Sequence, residues 1–248
     1  ASSAAGRALR YAGGSARGRL LHHRMGHDLL ACYEEVDASR PRTGWELDHP
    51  PYLGQLFETA AGVALDSRRG DRTRIFAYPR PGRLGFAETE AALSSPDAGW
   101  DVILAAPGVS RESRERLERA GVRVVDGPAR LDRALTGCDL AITHASNGTV
   151  AAALATGVPQ IGLPSQAEQV MAARAIGEQG LGLAGRYSDV QVRELIDRAL
   201  GSPALRDRCR AASARIAARH PDDPAAAMAD RIHTLAAGRA RGLSARPA

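Results

Sequence analysis

Lysine is missing from this sequence: all 33 basic residues are arginine. That absence excludes a P-loop, whose lysine reaches the phosphates of a bound nucleotide. Cysteine is scarce too. Cys32, Cys138 and Cys209 stand far apart and form no CxxC pair, so neither a zinc ribbon nor a disulfide framework is encoded. Such sparse use leads us to expect a reducing, cytoplasmic setting. Aromatic residues are few, at 2 Trp, 5 Tyr and 3 Phe, which argues against the stacking platforms of single-strand nucleic-acid binders. No apolar run approaches the ~20 residues of a membrane span, and no signal-peptide pattern opens the chain. The charge imbalance is small, +5 overall, and residues 201–248 hold the excess with nine Arg against four Asp. In an Ala- and Arg-rich stretch this reads as a solvated helix face, and no nucleic-acid partner is expected.

What is present is a regular alternation. The 248 residues are 44% hydrophobic, enough for one good α/β domain and part of a second. From Thr73 onward, short apolar runs (74–78, 100–106, 121–125, 138–143, 160–163, 180–184) alternate with helix-forming segments. Strands separated by helices argue for βαβ units. The expected fold is α/β: a Rossmann-like parallel sheet of about six strands with helices on both faces. Helices are expected over 86–93, 110–120, 128–136, 150–155, from 164 onward, and over 190–200, 204–219 and 225–237.

The segment ahead of this alternation is less regular. Residues 1–18 are rich in Gly, Ala, Ser and Arg and expected to be loose, and residues 19–36 have helical spacing. His22, His23 and His27 lie there, and His23 and His27 at i and i+4 have a spacing that can share a metal. Nothing completes a ligand set, so no metal is expected. Residues 46–72 read as a linker and residues 239–248 as a flexible basic tail.

The chemistry concentrates between Cys138 and Gln169. His144-Ala145-Ser146-Asn147-Gly148-Thr149 joins a strand to a helix, and Pro164-Ser165-Gln166-Ala167-Glu168-Gln169 does so again one unit later. The first N–H groups of a helix lack intrahelical partners and its dipole is positive there, so such a loop is a ready anion site. His144 and the hydroxyls of Ser146 and Thr149 can donate to a diphosphate, with the amides of Asn147, Gly148 and Thr149 adding to the field. Gly148 allows the backbone a close approach. Simpler roles also fit: Ser146 or Asn147 as a helix cap, and Ser165 with Glu168 as a capping box.

This run resembles the donor-binding signature of GT-B nucleotide-sugar glycosyltransferases of the UDP-glucuronosyl, plant secondary-metabolite and macrolide group. The matching positions are His144, Gly148, Thr149, Gly157, Val158, Pro159, Gln160, Pro164, Glu168 and Gln169. Gly180-Leu181-Gly182 is similar to that family's closing strand, and Glu46-Leu47-Asp48-His49-Pro50 to its interdomain linker. The resemblance implies that residues 73–238 form the C-terminal, donor-binding half of a GT-B fold, and that residues 1–45 are a remnant of an acceptor domain. It implies a donor site of His144, Ser146, Asn147, Gly148, Thr149 and Gln160, with Glu168 and Gln169 on the sugar. Arg80 would face the phosphates, and the backbone from Asp126 to Arg130 would hold the base. The activity implied is inverting, metal-independent hexosyl transfer from a UDP- or dTDP-sugar to a small-molecule or lipid-linked acceptor. The donor is a substrate and no cofactor is expected. The general base is expected outside this chain, which alone is expected to bind nucleotide and turn over poorly. Many relatives carry an acid eight residues after the histidine, on the ribose hydroxyls; Ala152 stands there, which points toward a 2′-deoxy donor or a looser ribose grip. An epimerase or hydrolase of the same fold, needing further carboxylates such as Asp126, and a non-catalytic nucleotide-binding subunit are the alternatives.

Overall fold

The computed structural model describes Tyr33, Glu35 and residues 54–56, 62, 71–94, 99–185, 192–220 and 223–244, with side chains to residue 234. Strands and helices alternate as β1 (Arg74–Tyr78), α1 (Phe86–Leu93), β2 (Asp101–Ala105), α2 (Arg111–Arg119), β3 (Arg123–Val125), α3 (Leu131–Ala134), β4 (Leu140–Thr143), α4 (Asn147–Thr156), β5 (Gln160–Gly162), α5 (Ala167–Glu178), β6 (Leu183–Ala184), α6 (Val192–Leu200), α7 (Pro203–Arg219) and α8 (Pro224–Ser244). The sheet has six strands in the order β3-β2-β1-β4-β5-β6. Every pair is parallel.

The central strands read as unbroken apolar runs because both their faces are covered. Successive side chains point to opposite faces, and the core divides accordingly. Ile75, Ala77, Val102, Leu104, Leu140 and Ile142 pack with Leu93 of α1, Leu117 of α2 and Ile196 of α6. Phe76, Ile103, Ala105 and Ala141 point the other way, against Ala134 of α3 and Ala152 and Ala153 of α4. Phe76, Ile103, Leu104 and Ile142 are fully buried, each contributing about 1.5–3 kcal/mol of apolar transfer. A third cluster joins α4, α5 and α7 through Leu154, Ile176 and Ile216. Gly157, in the left-handed conformation that ends α4, lets α7 come close. A Cβ there would lie 3.3 Å from Ser213 Cβ and 3.4 Å from Arg210 Cα.

At the N-terminal edge of the sheet the strands begin with charge. The Arg74 guanidinium lies 2.7 Å from Asp101 Oδ2 and that of Arg123 3.2 Å from Asp101 Oδ1. Asp139 accepts the Arg74 N–H at 2.8 Å. The side chains of Arg74 and Asp101 are only 6% and 2% exposed, so the burial of these charges is tolerable only as a pair.

Several elements differ from the sequence expectation. Helix α4 begins at Asn147, not Val150, because Ser146 caps it and draws the loop's last residues into the first turn. Helix α3 is shorter than expected, because Arg130 ahead of it is extended. Ser165 does not cap α5. Gln166 occupies the N-cap without a side-chain bond, while the Ser165 N–H donates to Gln169 Oε1 at 2.8 Å, so the capping box with Glu168 does not form. Helix α8 runs to Ser244, into the stretch expected to be a flexible tail; alanine and arginine are strong helix formers and carry it past Gly238 and Gly242. Tyr33, expected in a separate upstream remnant, is buried in the cluster of α5 and α7 and meets the His220 ring at a tilt, 5.0 Å between ring centroids. His22, His23, His27 and residues 46–50 lie outside the described residues.

Candidate functional site

The strand order runs one way from β1 through β2 to β3 and the other from β4 to β6. The crevice between the C-terminal ends of β1 and β4 is therefore the topological switch point of the sheet, where open α/β folds bind ligands. A cleft of about 490 Å³ opens there. One wall is the turn after β1, with Tyr78, Pro79, Arg80, Pro81 and Arg83. The other is the loop after β4, with His144, Ser146, Gly148 and Thr149. Pro107 and Leu131 close the side.

Every residue of the β4–α4 loop has its conformation fixed. Ala145 adopts φ 58°, with its N–H donating to Thr143 Oγ1 at 3.0 Å. Ser146 Oγ accepts the Thr149 N–H at 3.5 Å. The Thr149 hydroxyl lies 2.9 Å from the Ser146 carbonyl, 3.1 Å from Ser146 Oγ and 3.4 Å from Thr143 Oγ1. A hydroxyl has one proton, and that of Thr149, 4% exposed, has acceptors within the loop, so this residue frames the site. Among the first-turn amides, that of Thr149 is taken by Ser146, whereas those of Asn147 and Gly148 find no acceptor among the described residues. A Cβ added at Gly148 would meet no atom within 4 Å, so its backbone is open to the cleft. The Asn147 side chain is exposed.

His144 is 7% exposed. Its Nδ1 lies 3.1 Å from the Tyr78 carbonyl, and the Tyr78 ring meets it edge-on at 5.9 Å. A carbonyl only accepts, so Nδ1 carries the proton and the neutral ring presents an acceptor at Nε2. Burial pulls the pKa below the ordinary histidine value and the Arg80 charge pulls the same way, while the Tyr78 carbonyl opposes them. His144 can therefore donate from Nε2 only after taking up a second proton.

Arg80 and Arg83 pair with no carboxylate among the described residues. Both are exposed. A turn closed by the Arg83 N–H on the Arg80 carbonyl, at 3.2 Å, puts both on the cleft. Arg83 is absent from the sequence reading, although Pro81-Gly82 between two arginines is a turn signal that could have found it. Among the described residues, no acidic side chain lines the cleft. The Asp126 side chain, at the start of the backbone stretch expected to hold the base, accepts the Gly108 N–H at 3.1 Å and pairs with Arg114 at 2.8 Å, clipping two loops together. No cluster of metal-ligating side chains occurs among the described residues, and a lining without carboxylates does not fit a hard cation.

The second loop is less complete. Glu168 is exposed in the first turn of α5 and does not line the cleft. Gln169 is 2% exposed, with its carbonyl oxygen taken by the N–H and hydroxyl of Ser165. Gln160, placed in the donor site by its sequence match, is wholly buried, with Nε2 3.4 Å from the Val150 carbonyl. It opens β5 rather than ending it, so it faces the packed interior and not the cleft.

Residues 92–234 match the family described as erythromycin biosynthesis protein CIII-like, C-terminal domain. The chain belongs to this family. The CIII-like domains are the C-terminal parts of antibiotic glycosyltransferases with a GT-B fold, as the signature implied. The elloramycin glycosyltransferase ElmGT of Streptomyces olivaceus is 33% identical over 152 residues, covering 56% of this chain and 37% of its own. Among solved structures, the glycosyltransferase of kitacinnamycin superposes with a TM-score of 0.67 at 17% identity, over 91% of this chain and 65% of its own. Glycosyltransferase VinC in complex with dTDP superposes at 0.58 and 20% identity, over 74% of this chain and 47% of its own. The structures share the fold, and this chain spans about a third of the length of the elloramycin enzyme and under two thirds of the structural relatives. No helix among the described residues is long and apolar enough to cross a membrane.

Proposed function

We propose that this CIII-like domain supplies the donor site of an inverting glycosyltransferase that moves a hexose from a nucleoside-diphosphate sugar to an acceptor hydroxyl. The observation that carries the reading is a cleft lined by Arg80, Arg83 and His144 beside two open amides at a helix N-terminus, with no carboxylate among the described lining residues. The diphosphate lies against the amides of Asn147 and Gly148 and the Ser146 hydroxyl. Arg80 and Arg83 close on it from the opposite wall. As the glycosidic bond breaks, negative charge grows on the leaving diphosphate, and preorganised donors stabilise that charge more than the ground state. His144 takes a proton on Nε2 as the anion arrives and becomes a further donor. These groups do the work of a divalent cation, so transfer is metal-independent. Glu168 stands ready for sugar hydroxyls from the next loop, and the general base comes from outside this chain.

The donor is a dTDP-sugar by preference. Ala152, where an acid would grip the ribose, sits among apolar side chains at 3% exposure, and the fold relative VinC binds dTDP. An epimerase or hydrolase would need carboxylates in the cleft, and the described lining residues include none.

Calorimetric titration tests the reading. dTDP is expected to bind the chain without added metal, more tightly than UDP, with little transfer or hydrolysis of dTDP-glucose by the chain alone. Gly148→Ala adds a methyl on the cleft side of a helix. It should weaken dTDP at least about tenfold while helix stability holds or rises by up to ~1 kcal/mol. Undetectable dTDP binding, or equal binding by Gly148→Ala, would overturn the assignment.

A further inference from the structure

Ala145 is the one non-glycine residue with positive φ among the described residues, at 58°, and it is fully buried. A side chain held in the left-handed region persists only where its surroundings over-determine it. Here they do so from two sides. On one, the Ala145 N–H is fixed to Thr143 Oγ1 at 3.0 Å. On the other, the Ala145 methyl meets the last residue of β5. A Cβ built on Gly162 would fall 3.1 Å from Ala145 Cβ and 3.0 Å from Ala173 Cβ.

Gly162 is not glycine for its backbone, because its φ is not positive. It is glycine for space. Its backbone cannot retreat: it is in register with Thr143 of β4, and its carbonyl accepts the Gly185 N–H at 2.9 Å. Ala173 is buried within α5. Of the three contacting groups, only Ala145 lies in a loop, and its chain neighbours are His144 and Ser146.

We infer that Ala145, Gly162 and Ala173 form a steric pin that sets the orientation of His144 and Ser146, making Gly162 a positioning residue for anion binding although it never touches the ligand. The inference rests on the diphosphate reading of the cleft. It ties the phosphate loop mechanically to β5 and α5, the elements that carry the sugar loop. A methyl at position 162 pushes Ala145 outward and turns both of its neighbours.

Methyl transfer across the contact tests this. Gly162→Ala should weaken dTDP about tenfold and shift the His144 Cε1–H resonance. Ala145→Gly, which removes the methyl where glycine is at ease, should leave thermal unfolding unchanged and weaken dTDP about threefold. The double variant Ala145→Gly/Gly162→Ala, with the methyl restored from the other side, should recover affinity to within about threefold of the parent and return the histidine resonance. A double variant as weak as Gly162→Ala, or parent-like affinity in both single variants, would overturn the pin. Should Gly162→Ala fail to fold, parent-like affinity in Ala145→Gly alone is enough to reject it. If the parent itself does not bind dTDP, the diphosphate assignment fails, and an unmoved histidine resonance in Gly162→Ala would separately reject the pin.

Discussion

The two ends of the central strands use the same residue type for opposite purposes. At the N-terminal edge, Arg74 and Arg123 share the carboxylate of Asp101 and are withdrawn from solvent. At the C-terminal edge, Arg80 and Arg83 flank a cleft with no acid among its described lining residues, and Asp126 is engaged by Arg114. With every basic residue an arginine, side-chain identity does not distinguish structure from function. The position of the carboxylate does. Where one is enclosed with the guanidinium, the charge is spent inside the fold; where none is, the field is left for a ligand.

The comparison breaks most visibly at Asp101. Asp101→Asn leaves a buried guanidinium facing a neutral amide and should cost about 3–5 kcal/mol of stability, read from urea unfolding. A loss under about 1 kcal/mol would mean that the two edges do not differ as argued. Next comes the double variant Arg80→Ala/Arg83→Ala. Removing two charge-assisted donors should weaken dTDP roughly ten- to hundredfold while unfolding stays within about 0.5 kcal/mol of the parent; a stability loss without an affinity loss would reverse their assignment.

The smallest effect is that of pH, through His144. Its folded-state pKa is depressed, chiefly by burial, so the folded chain holds that proton less readily than the unfolded one. The stability this group contributes is therefore complete above the unfolded value of ~6.5 and erodes as pH falls through and below it. Bound diphosphate favours the doubly protonated ring, so affinity runs the other way. dTDP-glucose, whose esterified diphosphate does not titrate in this range, should bind a few-fold more tightly as pH drops from about 8 to about 6. His144→Gln should flatten that slope; an unchanged slope would remove His144 from contact with the anion.

Particular residues show how far the sequence could be read. The strands were legible because a parallel sheet covered on both faces demands unbroken apolar runs, and Ile75-Phe76-Ala77 and Val102-Ile103-Leu104 supply them. The loop on the cleft was legible because His144, Gly148 and Thr149 lie within six residues of sequence and serve one local turn. Gln160 and Gln169 show what a sequence match leaves undecided. Both match the signature, yet one is enclosed beside Val150 and the other has its carbonyl oxygen turned onto Ser165. Arg83 went unnoticed because its importance depends on a turn that swings it beside Arg80.

By itself the sequence determined the alternation of strand and helix, the family to which the chain belongs, and the loop that lines the cleft, since periodicity, helix-terminus chemistry and a contiguous motif are all written locally. Only the tertiary structure decided which arginines keep their charge for a ligand, that the Thr149 hydroxyl has acceptors within the loop, and that Gly162 must be small for the sake of Ala145. Those outcomes depend on which groups from distant parts of the chain come within a hydrogen bond or a van der Waals contact of one another, and the spacing of residues along one segment carries no record of that.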